Sequence, residues 1–137
     1  MDSELKNKIL KLYLSEDYCW CEECEKEDYL VCTDKEADEA VTEYIKKRLR
    51  AFNAAFILNV CGLDGSGTSF LKSIQEKLCE NANDFLLSLV KGTCSLEHFI
   101  ECAVNADGRG HFLSSYDGIE NEIELDGEDY YIYRISS

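Results

Sequence analysis

The stretch NEIELDGEDYYIYRI, residues 121–135, contains the signal that decides the fold. Apolar and polar residues alternate over residues 121–125, which is typical of a strand with one buried face. The dipeptide Asp126-Gly127 follows, and this pair favours a two-residue hairpin turn. Residues 130–135 then supply a second strand rich in tyrosine and isoleucine, the residue types that fit a pleated sheet. The sequence therefore predicts an aromatic β-hairpin in this part of the chain.

A second hairpin is predicted closer to the amino-terminal end. Strand patterns occur at residues 18–21 and 29–33, and the acidic run 22–27 between them is typical of a hairpin loop. A lone hairpin is marginally stable in water, whereas three or more strands can support one another. We therefore expect the two hairpins to share one small antiparallel sheet.

The middle of the chain is predicted to be helical. Thr33 and Glu36 form a capping-box pattern, which predicts a long helix that continues to about residue 59. Apolar residues recur at helical spacing in four further segments: 3–15, 69–79, 84–90 and 96–106. Residues 107–110 are predicted to be a loop because two glycines fall there. The sequence thus predicts a single α+β domain over residues 1–137, with central helices and a small antiparallel β-sheet built from N- and C-terminal hairpins.

The charge balance limits the possible partners. The 137 residues include 28 Asp and Glu against 14 Lys and Arg, which gives a formal net charge of -14. Such a field repels nucleic acid and anionic lipid and attracts basic protein surfaces. The first residues lack the pattern of a secretory signal, and no apolar run is long enough to cross a bilayer. We therefore expect a cytoplasmic protein with reduced cysteines, no membrane association and no direct contact with nucleic acid.

Acidic residues concentrate in three segments, 22–28, 34–43 and 120–129, and tyrosines lie beside the last of them. This pattern predicts a surface that presents carboxylates where a partner expects phosphates, with tyrosines as anchors. The predicted partner-binding residues are Glu36, Asp38, Glu39, Glu43, Glu120, Glu122, Glu124, Tyr130 and Tyr131. The alternative is a charged solvated face beside a half-buried aromatic strand.

The cysteines offer an alternative role. Cys19, Cys21, Cys24 and Cys32 could together supply four thiolates to a structural zinc ion, although their spacing differs from the usual paired knuckles. Packing of these thiols as small apolar groups is the other interpretation. Elsewhere, Cys94, His98 and Cys102 recur every four residues, so they could lie along one helical face.

The glycine-containing segment DGRGHFLSSYDG, residues 107–118, is a candidate ligand loop. Arg109, His111 and Asp117 are polar residues beside a predicted sheet, which is where binding residues often lie. If they form a site, the protein could be a small enzyme or a nucleotide-binding protein. Alternatively, Arg109 pairs with the acidic surface and His111 caps a turn.

The same segment, together with YYIYRI at residues 130–135 and RAFNAAF at residues 50–56, resembles small acidic proteins encoded by bacteriophages and prophages of Gram-positive bacteria. That family has no established activity, so the resemblance implies no catalytic residues. It does imply a context in which small acidic proteins often inhibit host defence systems, including CRISPR and restriction systems.

The predicted function is therefore a phage-encoded, non-enzymatic, anti-CRISPR-like inhibitor that imitates DNA. Its predicted partner is a host protein with a basic nucleic-acid-binding surface, such as a CRISPR effector in the bacterial cytoplasm. No cofactor is expected. The alternatives left open are a zinc-stabilised interaction module that uses the four cysteines, and an enzyme or nucleotide-binding protein that uses Arg109, His111 and Asp117.

Overall fold

The computed structural model describes residues 1–14, 28–77 and 80–135, without the side chain at position 80. Within these residues the chain forms seven α-helices and one three-stranded antiparallel sheet with the strand order β1-β3-β2, so the predicted α+β fold is confirmed. The helices are α1 (Ser3–Leu14), α2 (Asp34–Lys47), α3 (Ala54–Val60), α4 (Thr68–Lys77), α5 (Glu80–Thr93), α6 (Leu96–Asp107) and α7 (Arg109–Leu113). The strands are β1 (Tyr29–Thr33), β2 (Asn121–Leu125) and β3 (Glu128–Arg134).

The chain divides into two compact units. The sheet unit comprises Met1–Val41 and Asp107–Ser137, and the helical unit comprises Thr42–Ala106. The first strand predicted for the amino-terminal hairpin, residues 18–21, and its acidic loop lie outside the described residues. None of the helices in the described parts of the chain is long and apolar enough to cross a membrane. That the chain forms a single domain stays a prediction.

The carboxyl-terminal hairpin has the predicted geometry. Strands β2 and β3 pair with Ile123 opposite Tyr130. Asp126 and Gly127 both have positive φ values, 54° and 81°, as a hairpin turn that follows the twist of the strands requires. Strand β1 pairs with the other edge of β3. The aromatic strand is therefore the central strand of the sheet, and its residues Tyr130, Ile132 and Tyr133 are buried.

One face of the sheet packs against helix α1. Ile9 and Leu10 of α1 are fully buried against Val31 of β1 and against Tyr130 and Ile132 of β3. Side chains alternate between the faces of a strand, so the neighbouring residues of β1 and β3 lie on the opposite face. That opposite face includes the buried residues Cys32 and Tyr133 and the half-buried Tyr131.

The capping box at the start of α2 is confirmed. The Thr33 amide donates to Glu36 Oε1 at 3.0 Å, and the Glu36 amide donates to Thr33 Oγ1 at 3.2 Å. These two hydrogen bonds satisfy backbone donors that the first helical turn leaves open. Helix α2 therefore starts directly after strand β1. The capping box thus sets the position of the acidic residues of α2 relative to the sheet.

The prediction that this helix continues to about residue 59 is wrong. Helix α2 ends at Lys47, a single 3-10 turn follows at Leu49–Ala51, and a separate helix begins at Ala54. Asn53 caps the new helix, because its side-chain oxygen accepts from the amides of Ala55 and Phe56 at 2.9 and 3.3 Å. A good N-cap stabilises the start of a helix by about 1 kcal/mol. The spacing of apolar residues alone does not show that a new helix starts at this position.

The helical unit is built around an aromatic cluster. Phe99 of α6 is fully buried, and its ring meets those of Phe52 and Phe56 with centroid distances of 5.4 and 5.7 Å. Side chains from later helices donate hydrogen bonds to backbone carbonyls at the break between α2 and α3. Gln75 donates to the carbonyl of Phe52 at 2.7 Å, and Asn83 donates to the carbonyl of Lys46 at 2.8 Å.

A second correction concerns residues 107–110, which do not form a simple loop. Helix α6 extends to Asp107, Gly108 has a φ of 87°, and Arg109 opens helix α7. The left-handed conformation of Gly108 is accessible to glycine without steric cost. It separates the end of α6 from the start of α7, so that Arg109 is the first residue of α7.

Candidate functional site

Arg109 links three carboxylates from two distant parts of the sheet unit. Its side chain is only 11% exposed, and its Nη1 donates to Asp34 Oδ1 at 2.8 Å and to Asp38 Oδ1 at 3.0 Å. Its Nε donates to Glu120 Oε1 at 2.8 Å. Asp34 and Asp38 are one helical turn apart on α2, whereas Glu120 directly precedes β2. The guanidinium therefore ties the start of α2 to the start of the hairpin.

Two tyrosines of β3 complete the surroundings of Arg109. The guanidinium carbon lies 4.5 Å from the centroid of the Tyr131 ring, a favourable cation–π distance. The Tyr133 hydroxyl donates to the same Glu120 oxygen that Arg109 contacts. Burial raises the pKa of Tyr133, and the hydrogen bond to Glu120 raises it further. Tyr133 is thus a neutral donor that helps to hold Glu120 in place.

The charge state of Arg109 follows from these contacts. Burial by itself would lower the pKa of Arg109, but the hydrogen bonds to Asp34 and Glu120 outweigh burial and raise it. The side chain stays cationic, and its donors are directed at the protein's own carboxylates. Arg109 therefore holds the structure together in the way that one sequence interpretation suggested.

The contacts of Arg109 place carboxylates around Tyr131. Glu122 is the cross-strand neighbour of Tyr131, and Glu124 lies two residues further along the same exposed face of β2. The side chains of Asp34 and Asp38 remain 68% and 65% exposed although both pair with Arg109. We call this surface the acidic face, and it consists of Asp34, Asp38, Glu120, Glu122, Glu124 and Asp129.

Three of the other predicted partner residues lie along α2. Glu36 is occupied by the capping box and by the amino group of Met1, at 3.1 Å. Glu39 is exposed. Glu43 lies in the helical unit, where it approaches Lys47 at 4.0 Å.

The two predicted tyrosines lie on opposite faces of the sheet. Tyr130 is 5% exposed and packs in the core beside α1, while Tyr131 is half-buried under Arg109. The structure thus brings Asp38, Glu120, Glu122 and Glu124 of the predicted set together with Tyr131.

The three candidate ligand-loop residues have separate surroundings. Asp117 accepts from the Ser114 hydroxyl at 2.7 Å and from the Ile119 amide at 3.0 Å. These hydrogen bonds, that from Ser114 first, lower the pKa of Asp117. His111 is exposed, and its ring lies edge-on to Phe112 with a centroid distance of 5.0 Å. Arg109 and Asp117 thus make contacts that serve the fold, although Asp117, like His111, is exposed.

Sequence reasoning missed Gly110, Asp34, Ser114 and Tyr133. A Cβ atom on Gly110 would lie 2.6 Å from the Glu120 amide nitrogen and 2.8 Å from the Gly118 carbonyl oxygen. Only glycine allows helix α7 to approach the loop that carries Glu120. A glycine between helix-compatible residues is a sequence signal for such a close backbone approach. The partners of Arg109 leave no such local signal, because Asp34 is 75 residues away in the sequence.

The structure describes one of the four cysteines suggested for zinc. Cys32 is 4% exposed, and burial, followed by the charge of Glu36, raises the pKa of its thiol to about 11. Cys19, Cys21 and Cys24 lie outside the described residues. Among the residues that the structure describes, no group of three or more His, Cys, Asp or Glu side chains could hold a metal ion.

The charge of the chain is divided unequally between the two units. Counted along the sequence, the sheet unit has 21 Asp and Glu against seven Lys and Arg, whereas the helical unit has seven of each. The whole formal charge of -14 therefore belongs to the sheet unit. The acidic face lies on the unit that produces the negative field.

Comparisons of the chain with protein-family models, with curated proteins and with solved structures found no match. The grounds for assigning a function are therefore the arrangement around Arg109 and the distribution of charge. Both describe a surface of carboxylates, three of which are held by Arg109.

Proposed function

We propose that this protein is a phage-encoded, non-enzymatic inhibitor of a host defence system, acting in the bacterial cytoplasm. In this proposal the acidic face occupies the basic nucleic-acid channel of a host protein of the CRISPR-effector class and takes the place of DNA. The observation that supports the proposal is that Arg109 holds two carboxylates of α2 and that of Glu120, directly before β2, beside the carboxylates of β2. The confinement of the net charge to the same unit supports it.

The acidic face has the physical properties that such a competitor needs. Glu122 and Glu124 lie on one side of a paired strand, so their Cα atoms are held about 6.8 Å apart by the strand rise. Asp34 and Asp38 are oriented by Arg109 but still present most of their side-chain surface to solvent. Carboxylates that are fixed in advance lose less conformational entropy on binding than freely rotating ones. Long-range attraction to a basic channel adds fast, salt-sensitive association.

The contacts in the candidate ligand loop favour this proposal over an enzyme. A catalytic or nucleotide-binding arginine must direct donors at a ligand, whereas Arg109 directs its donors at Asp34, Asp38 and Glu120. Asp117 is likewise occupied by the turn it stabilises. These residues shape the surface, and the proposal assigns the function to the surface.

The test is a binding experiment with matched charge variants. The purified protein is used to capture host proteins at low salt, and a captured nuclease is then purified and assayed for DNA binding. We expect the protein to displace a short DNA duplex from that nuclease, and to do so less well as salt rises from about 50 to 200 mM. The double variant Glu122→Gln, Glu124→Gln should weaken the displacement at least tenfold.

The control variant removes the same number of charges from the helical unit. Glu97 and Glu101 are exposed on α6, and the change Glu97→Gln, Glu101→Gln should leave the displacement of DNA unaltered. Equal losses for both double variants would show that only the net charge matters. A partner that binds the protein and DNA simultaneously would overturn the mimicry.

A further inference from the structure

Strand β2 forms an outer edge of the sheet. In the part of the chain that the structure describes, the strand order is β1-β3-β2, so β2 pairs with β3 along one side and has no paired strand along the other. An unpaired edge presents backbone N–H and C=O groups that can hydrogen-bond an additional strand. The proposed function uses the acidic side chains of β2 and leaves this backbone edge unassigned.

The register of the sheet identifies the backbone groups at this edge. Residues of an antiparallel strand alternate between hydrogen-bonded and non-hydrogen-bonded pairs, so successive residues bond towards opposite edges. The amide of Ile135, one residue beyond β3, donates to the Asp28 carbonyl on the side of β1 at 2.8 Å. The even-numbered residues of β3 therefore bond towards β2, and their partners are the odd-numbered residues of β2. The N–H and C=O groups of Glu122 and Glu124 consequently point to the outer edge.

The two glutamates combine this outward-facing backbone with exposed side chains. Within the described residues, no other backbone group hydrogen-bonds to Glu122 or Glu124. Their side chains are exposed, whereas Ile123 and Leu125 are half-buried and pack against the core beside α1. A strand added at this edge would lie about 4.8 Å from β2. Its side chains beside the glutamates would join the acidic face, and the alternate ones would lie beside Ile123.

This pattern of charge and burial specifies which segment fits the edge. Opposite charges stabilise a cross-strand pair and like charges destabilise it, so the positions beside Glu122 and Glu124 favour lysine or arginine. The alternate positions favour apolar side chains, because they adjoin Ile123 and Leu125. The complementary strand is therefore an extended segment in which basic and apolar residues alternate.

We propose that the outer edge of β2 binds such a segment of the partner protein as an additional antiparallel strand. In strand addition, main-chain hydrogen bonds supply affinity, and the alternating side chains supply specificity. The inference rests on the proposed function for the existence of a basic partner. It adds the backbone structure that the partner contributes where it meets β2.

The charges at this edge oppose a second copy of the chain as the occupant. Two β2 strands that paired antiparallel through their outer edges would place glutamate directly opposite glutamate, and each copy has a net charge of -14. Charged side chains on edge strands prevent self-pairing of this kind. The same glutamates therefore select against a second copy and in favour of a basic strand.

The first experiment uses the full-length protein and a short synthetic peptide in which lysine alternates with valine. Hydrogen exchange of individual amides is followed by NMR with and without the peptide. We expect the amides of Glu122 and Glu124 to exchange at least about tenfold more slowly with the peptide. The amide of Ile123, which already bonds to β3, should change little.

The control peptide has the same sequence with a methyl group on each lysine backbone nitrogen. It keeps the charge but lacks the donors that would face β2, so it should give no protection. Equal protection by both peptides would show that charge alone is responsible, and an absence of protection with either peptide would show that β2 accepts no strand. Both results would overturn the inference.

The variant Glu122→Pro tests the backbone edge separately from the charge. Because the Glu122 amide points outward, proline at this position keeps the hydrogen bonds to β3 and removes one donor from the edge. Glu122→Ala loses the same charge but keeps the N–H group, and it is the matched control. We expect Glu122→Pro to bind the lysine–valine peptide at least about fivefold more weakly than Glu122→Ala. Equal affinities of two folded variants would contradict strand addition, and the exchange experiment on the unmodified chain does not depend on either variant.

The outcomes separate this inference from the proposed function. Displacement of DNA that depends on the glutamate charges, without protection of the Glu122 and Glu124 amides by the peptide, would refute strand addition and leave the mimicry intact. Protection by the peptide without displacement of DNA from a captured nuclease would refute the mimicry and leave strand addition intact.

Discussion

Different kinds of interaction stabilise the interior of the sheet unit and the interior of the helical unit. In the sheet unit, Arg109 of α7 pairs with Asp34 of α2 and with Glu120, which directly precedes β2, and the Tyr133 hydroxyl donates to Glu120 as well. The helical unit is instead stabilised by the packed rings of Phe52, Phe56 and Phe99, of which Phe99 is fully buried. The first unit has the entire net negative charge, and the second is neutral.

This difference shows how an acidic surface can be combined with a stable fold. Excess charge of one sign destabilises a compact state through self-repulsion. The sheet unit places one nearly buried cation among three of its carboxylates, which offsets part of that repulsion while leaving the carboxylates exposed. The helical unit has no excess charge to offset, so apolar packing is sufficient. The polar contacts should therefore respond to salt, and the aromatic cluster should not.

The largest expected effect is in the neutral unit. Phe99→Ala removes a fully buried ring from the aromatic cluster, and such truncations reduce the free energy of unfolding by about 4 kcal/mol. Urea unfolding measured at low and high salt should give the same loss, because no charge is involved. Phe70→Ala is the control, since the Phe70 side chain is 70% exposed. A loss that changes strongly with salt would contradict the comparison.

The second-largest expected loss of stability concerns the close contact between Gly110 and the backbone of Glu120. Gly110→Ala would bring a methyl group to 2.6 Å from the Glu120 amide nitrogen, and backbone atoms cannot move aside as a flexible side chain can. We expect a loss of about 3 kcal/mol in urea unfolding. The matched control is Gly92→Ala, where a Cβ atom meets nothing within 4 Å and alanine favours the helix. Equal effects of the two changes would show that helix α7 can shift away from the loop.

Arg109→Met should have a somewhat smaller effect of about 2 kcal/mol, because the released carboxylates can be rehydrated. Methionine keeps most of the apolar stem but leaves Asp34, Asp38 and Glu120 without their shared cation. The loss in urea unfolding should be larger at low salt, where repulsion among the carboxylates is less screened. Arg50→Met changes an exposed arginine of the helical unit and should cost little at any salt. A salt-independent loss for Arg109→Met would show that packing, not charge, is the main contribution of Arg109.

Much of the fold could be predicted because its signals are local. The Asp126-Gly127 turn, the alternation in β2 and the capping box of Thr33 and Glu36 each depend on a few adjacent residues. The break before α3 was missed because apolar spacing continues across it, and the cap formed by Asn53 was the contrary signal. The predicted helix 96–106 is present, and of the residues spaced by four only His98 and Cys102 contact each other along it, at 3.6 Å, because Cys94 precedes the helix.

The candidate site could be predicted only in part. The acidic segments 34–43 and 120–129 are visible in the sequence, but their meeting depends on Arg109, which pairs with Asp34 and Asp38 over 75 and 71 residues. No local pattern encodes such a pairing. Tyr130 is buried and Tyr131 is partly exposed because helix α1 covers one face of β3 and not the other. Tertiary packing determines which face is covered, and no local sequence pattern shows it.

The smallest expected effect concerns the capping box at the border of the acidic face. The hydrogen bond from the Thr33 amide, and then the contacts with the Met1 amino group and the Thr33 hydroxyl, lower the pKa of Glu36 despite some burial. A carboxylate with a lowered pKa stabilises the folded state at pH values above its ordinary pKa of about 4.3. This stabilisation is lost as the pH falls through the lower folded pKa.

The variant Glu36→Gln isolates this contribution, because the amide oxygen can still accept from Thr33 but has no charge to titrate. At pH 7 it should be less stable than the wild type by under about 1 kcal/mol, since the Glu36 side chain is 37% exposed and solvent screens its ion pair with the Met1 amino group. The difference between the two urea midpoints should shrink as the pH is lowered from 7 into the acid range and through the lowered folded pKa of Glu36. Glu36→Ala removes the acceptor as well and should remain less stable at every pH. Parallel pH curves for the wild type and Glu36→Gln would mean that the cap depends on the hydrogen bond alone, and that charge contributes to this part of the sheet unit only through Arg109.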